Sequence, residues 1–169
     1  MNRMLRIALL LLAVSALSAC GFHLRKSVAL PPTMAHMHID GDGNLQRALT
    51  RALEHAGVDV VDQGGTGVAE LTLPVNAFNT ESLTQGGYAR ITEFAVHYQV
   101  AFDVTQGGKT LVPRQDIAMQ REYSYDATDS VGNASQVQQI QQSLVTDMVQ
   151  AIMFRLEAAG RQPAPVAKP

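Results

Sequence analysis

The chain has 169 residues, 46% of them apolar, which is enough for one domain with a real core. Thirteen Lys and Arg against fifteen Asp and Glu leave a formal charge of −2, which argues against a nucleic-acid binder needing a basic face. The single cysteine excludes an intramolecular disulfide framework.

Arg3 and Arg6 form a short basic start, and Ile7 to Leu17 then run almost wholly apolar. That run is shorter than the roughly 20 apolar residues a spanning helix needs, and it has the layout of a secretory signal peptide over 1–19. Leu17-Ser18-Ala19-Cys20 places small residues before a cysteine, the pattern of a bacterial lipobox. Cleavage is therefore expected between Ala19 and Cys20, with the sulfur of Cys20 carrying a diacylglycerol thioether and its freed amine an acyl chain. No other cofactor is expected. One acyl chain anchors only marginally, whereas two or three hold a protein stably on a bilayer. Gly21 rather than an aspartate follows, which favours onward transport to the outer membrane, on its periplasmic side.

Residues 20–33 include Pro31-Pro32 and read as an extended tether; 34–160 form the domain. Ala35, Met37 and Ile39 alternate with His36 and His38, a short strand. Asp40 to Asn44 is a turn ending in a helix cap, and Leu45, Leu49 and Leu53 then recur at helical spacing until Gly57 stops the helix. Val58 to Val61 has the character of a brief strand. Leu71, Leu73, Val75 and Ala77 repeat every second residue, and Pro74, lacking an N–H, places that strand at an edge. Phe94, Val96, Tyr98, Val100, Phe102 and Val104 share one face of a longer strand, with His97, Gln99 and Asp103 opposite. Gln106-Gly107-Gly108-Lys109 is hairpin chemistry, and the returning strand carries Ile117, Met119, Tyr123 and Tyr125 on one parity. A long helix is predicted from about Ser135 to Ala159, ended by Gly160 and followed by a disordered Pro/Ala tail over 161–169. The Gln-Gly-Gly triplets at 63–65, 85–87 and 106–108 lack similar flanks and read as three turns. The order predicts an α+β fold: two helices packed on one face of a four-stranded, mostly antiparallel sheet, a two-layer sandwich.

His36 and His38 point to one side of a strand, but two imidazoles without a third ligand make solvent-facing residues the better reading. No G-x-S-x-G elbow, H-E-x-x-H helix or free thiol nucleophile is present, and Asp103, Asp116 and Glu122 are scattered on the polar side of the hairpin. An enzyme is therefore not expected. The basic residues are more informative. Arg90 shares the parity of Phe94 to Val104, and Arg121 interrupts the apolar row between Met119 and Tyr123, with Lys109 and Arg114 nearby in sequence. A cation in an apolar row must snorkel or meet an anion. Guanidinium groups beside an apolar rim would suit an amphiphile bearing phosphates; alternatively, Arg121 turns outward or pairs with Glu122 or Asp116. Gln136, Gln138, Gln139, Gln141 and Gln142 give the last helix an uncharged polar face, suited either to a wet interface or to plain solvent.

Cys20-Gly-Phe-His-Leu-Arg25 resembles the opening of the lipopolysaccharide-assembly lipoproteins of the LptE (RlpB) family. The similarity continues through Thr33-Met34, Ala56-Gly57-Val58, Val60-Val61-Asp62, Glu93-Phe94 and Arg121 with Tyr123 and Tyr125, covering nearly all of 20–160. The resemblance implies the same sandwich, seated as a plug in the outer-membrane β-barrel LptD. It further implies help in folding that barrel, insertion of lipopolysaccharide into the outer leaflet, and no catalysis. Of the family's lipopolysaccharide-contacting residues, an arginine before the long hairpin strand has its nearest match in Arg90, at a different local spacing. A lysine in the turn before the last helix has no counterpart in Asp129 to Ser135, which leaves Lys109, Arg114 and Arg121 as further candidates. The other class of function compatible with the sequence is a free, periplasm-facing lipid-binding or structural lipoprotein without a barrel partner.

Overall fold

The computed structural model describes residues 30–83, 91–126 and 128–161. The signal peptide, Cys20, most of the tether, Arg90 and the Pro/Ala tail lie outside the described residues. After one 3-10 turn at Pro32–Met34 come β1 (His36–Asp40), α1 (Gly43–His55), β2 (Asp59–Val60), β3 (Ala69–Ser82), β4 (Ile91–Gln106), β5 (Lys109–Asp126) and α2 (Ser130–Arg161). Among the described residues the strands form one sheet in the order β2-β1-β3-β4-β5. β1 runs parallel to β2 and β3, while β3, β4 and β5 are antiparallel.

The α+β sandwich expected from the sequence is the observed architecture, with one strand more than the four expected. The fifth is β2, and the way α1 ends explains it. Gly57 takes a φ of +87°, its N–H bonds Glu54 O, and the N–H of Val58 bonds Leu53 O. This Schellman closure turns the chain back beside β1. Asp59 and Val61 then donate their N–H groups to Ala35 O and Met37 O.

Both helices cover the same sheet face. Leu45, Leu49 and Leu53 of α1 are buried at successive turns, as are Leu144, Met148, Ile152 and Leu156 of α2. Against them lie Met37 and Ile39 of β1, Leu71 of β3, and Val96, Tyr98, Val100, Phe102 and Val104 of β4. At about 25 cal/mol per Å² of apolar surface, each such side chain contributes roughly 1.5–3 kcal/mol. The opposite sheet face has no covering element among the described residues.

Three bulges shift the parity of the outer strands, one on β3 and two on β5. Between Thr72 and Val75, β3 holds an extra residue against β4, so Asn76 and Phe78 take the helix-covered side and Val75 and Ala77 the open one. The uninterrupted alternation expected from Leu71 to Ala77 is therefore wrong beyond Leu73. The edge position expected from Pro74 holds for only part of the strand. β3 is central where β1 pairs with residues 69–72 and becomes an edge from Pro74 onward, because β1 ends there. On β5 an extra residue between Val112 and Gln115 does the same, so Val112 and Ile117 are both buried despite opposite parity. At the hairpin tip Gly107 and Gly108 have φ of +56° and +78°, the turn that Gln-Gly-Gly-Lys predicted.

α2 starts at Ser130, five residues earlier than its periodicity suggests. The Oδ1 of Asp129 accepts the N–H of Gly132 at 2.8 Å, a cap that brings the expected turn into the helix. Thirty-two residues make a rod of about 48 Å. α1 likewise begins at Gly43, so Asn44 lies inside its first turn, with its Oδ1 bound by Arg47 at 2.6 Å. Gly160 does not end α2, which continues to Arg161. Its role is close approach: a Cβ there would lie 2.6 Å from the ring of Pro31. The chain entering the domain at Leu30–Pro31 thus passes against the C-terminal end of α2. No helix among the described residues is long and apolar enough to cross a membrane.

Candidate functional site

The sequence-predicted cations fall along β5 instead of converging. Lys109 is exposed at the hairpin tip, and twelve residues of strand, roughly 40 Å, separate it from Arg121. Arg114 is exposed and reaches Asp116 at 3.5 Å, on the strand opposite Ala101. Arg90 precedes β4 and lies outside the described residues.

Arg121 sits opposite Val96 on the helix-covered side, in the apolar row where the alternation put it. The anion it meets is Asp147 of α2, at 2.7 Å, and not Glu122 or Asp116. The two side chains are 48% and 43% exposed, so the guanidinium reaches the rim and is neutralised there. Asp147 is the one acid between Ser130 and Leu156, beside the buried Met148. An acid isolated along most of a helix and a lone cation in an apolar strand row were the signals that could have paired them.

Beyond Arg121 the hairpin ends in aromatic rings. Phe94 stacks on Tyr123 with centroids 5.6 Å apart and meets Tyr125 edge-on at 5.5 Å. Burial, and then the neighbouring Tyr125, raise the Tyr123 hydroxyl above its ordinary value. Deeper in, Tyr98 stacks on Phe78 at 3.9 Å and donates to Asn76 Oδ1 at 2.8 Å; burial pushes its hydroxyl up to about 12. This end is closed by a clamp absent from the sequence reading. The side chain of Asn133, in the first turns of α2, donates to Asp126 O at 2.6 Å and accepts the Asp126 N–H at 3.1 Å. It prolongs the β5 ladder as a neighbouring strand would. The Asp126 carboxylate is held below its ordinary value by the Thr128 N–H, and then by the Thr128 hydroxyl.

His36 and His38 do share a side, but each reaches the neighbouring segment 59–61: Nδ1 of His36 lies 3.0 Å from Asp59 Oδ2, and Nδ1 of His38 is 3.1 Å from Val61 O. Among the scattered carboxylates, Asp103 accepts the Thr72 hydroxyl at 2.7 Å and Asp116 faces Arg114. On the open sheet face Glu81 lies 3.4 Å from Nε2 of His97, too poorly directed for a hydrogen bond. The arrangement offers apolar, aromatic and cationic contact surface.

Solved structures with the same fold include a minor lipoprotein from Acinetobacter baumannii, 18% identical, with a TM-score of 0.63 over 79% of this chain and 100% of that one. The rare lipoprotein B from Shewanella oneidensis is 17% identical, with a TM-score of 0.63 over 73% and 94%. An uncharacterized lipoprotein B from Nitrosomonas europaea is 20% identical, with a TM-score of 0.68 over 82% and 91%. No curated protein matches the chain significantly. The sequence profile of the LptE family, described as lipopolysaccharide-assembly, matches residues 26–156, and the chain belongs to that family.

Proposed function

We propose that this protein is the outer-membrane lipoprotein subunit of the lipopolysaccharide translocon. It plugs and helps assemble the LptD β-barrel and aids insertion of lipopolysaccharide into the outer leaflet. The observation that carries the reading is the family match across 26–156, nearly the whole domain. In this reading residues 1–19 are removed, Cys20 carries the thioether-linked diacylglycerol and an N-acyl chain, and 20–33 tether the domain on the periplasmic side. No catalytic step is assigned.

The surface is suited to such a seat. A large barrel has a polar, water-filled interior, so a plug needs polar outer faces and not an apolar one. On the open face of the sheet, Ala77, Gln99 and Ala118 lie in register, as do Asn79, His97 and Gln120. These are small or polar side chains throughout. The glutamine flank of α2 is likewise polar without charge, and it adds no anions to repel phosphates.

The test is a pull-down of the tagged, lipidated protein from detergent-solubilised outer membranes, with bound partners identified by mass. A near one-to-one complex with a β-barrel is expected. Recovery of the protein alone, while the barrel stays intact in the same extract, would overturn the plug and favour a free lipid-binding lipoprotein. Cys20→Ala is expected to abolish partitioning into the detergent phase, read by phase separation of cell extracts.

A further inference from the structure

Between α1 and the glutamine flank of α2 runs a second surface, distinct from the β5 cations. It is a groove of about 450 Å³ whose rim carries Arg47 and Arg51 on one side and Gln138, Gln141 and Gln142 on the other. Phe78, held by its stack on Tyr98, and Val145 supply the apolar floor.

Three of the other described arginines, Arg114, Arg121 and Arg161, are paired with Asp116, Asp147 and Glu157. Arg155 donates to Gln115 Oε1 and the Asp116 carbonyl. Among the described residues Arg47 meets only the neutral Oδ1 of Asn44, and no carboxylate lines the groove, although acids outnumber bases in the chain. Arg47 and Arg51 stand one helical turn apart, where like charges repel and weaken a helix. An oxyanion bridging the two would remove that repulsion. Guanidinium groups take phosphate oxygens bidentately, and a phosphate monoester brings close to two negative charges. The three amides opposite offer paired donors and acceptors of the kind that match sugar hydroxyls.

We infer that this groove binds the phosphate-bearing saccharide head group of an amphiphile, with Arg47 and Arg51 on the phosphate and Gln138, Gln141 and Gln142 on the sugar. The inference rests on the lipopolysaccharide reading above and assigns it a site away from the hairpin.

The experiment titrates the full-length lipidated protein in detergent micelles with three probes: a bisphosphorylated glucosamine disaccharide, the same disaccharide without phosphates, and inorganic phosphate. The phosphorylated disaccharide is expected to bind at least about tenfold more tightly than either of the others. Arg47→Gln with Arg51→Gln is expected to weaken it by about tenfold or more, at unchanged circular dichroism. Gln138→Ala with Gln141→Ala should erase the preference over inorganic phosphate, while Arg161→Gln, at the far end of α2, should leave affinity unchanged. Undiminished affinity in the double arginine variant, or inorganic phosphate binding as tightly as the disaccharide, would overturn the site. If that variant binds undiminished yet still captures the barrel, only the groove fails. If the wild-type protein captures no barrel, the functional reading itself fails.

Discussion

The two halves of α2 are held by different forces. From Leu144 to Leu156 the helix buries Leu144, Val145, Met148, Val149, Ile152, Met153 and Leu156. From Ser130 to Gln142 its one buried residue is a polar one, Asn133, with Val137 and Ile140 only half-buried. Apolar burial fixes the second half against the sheet and α1. A cap at Asp129 and the Asn133–Asp126 clamp fix the first, leaving the glutamine flank free to face α1 across the groove. Elements with few buried apolar contacts open locally at lower free energy, so the ligand-facing half is also the more adaptable one.

The largest expected effect lies in the packed half. Met148→Ala should cost about 2–5 kcal/mol in urea unfolding, whereas Ile140→Ala should cost less than half as much. Equal losses would break the contrast. Next is Asn133→Ala, which strands the Asp126 N–H, leaves its carbonyl with the Asp129 N–H alone, and should cost about 1–3 kcal/mol. Its signature is faster amide exchange confined to Ser130–Gln142, with Leu144–Leu156 still protected.

The pH dependence comes from Tyr98. Its hydroxyl ionises near 10 in the unfolded chain but at about 12 in the fold, because burial favours the neutral form. Between those values the unfolded chain has lost the proton and the folded one keeps it. The contribution is therefore fully present below 10 and declines as pH rises to about 12. Alkaline unfolding of Tyr98→Phe should lack that part of the decline. The smallest effect is Arg121→Gln. Its pair with Asp147 is about half exposed, so removal should cost at most about 1 kcal/mol. Added salt should shrink the difference between variant and wild type.

Local chemistry was legible in the sequence because it depends on neighbours a few residues apart. The i,i+4 leucines of α1, the stop at Gly57, the Gly107-Gly108 turn and the two-faced pattern of β4 all appear as expected. Where single residues shift the frame, the reading failed. The extra residue between Thr72 and Val75 turned Phe78 toward the helices, and the cap from Asp129 lengthened α2. The cations show the same division. Arg121 was recognised as anomalous from its row, but which anion it meets depends on how α2 crosses the sheet.

By itself the sequence determined the element types, the apolar stripes and the number of layers, since each follows from periodicity or a contiguous motif. Only the tertiary structure decided that β3 is central before Pro74 and an edge after it, and that Asp147 meets Arg121. It also brought Arg47 and Arg51 opposite glutamines about 90 residues away. Those outcomes depend on how burial aligns distant segments, and no local spacing records them.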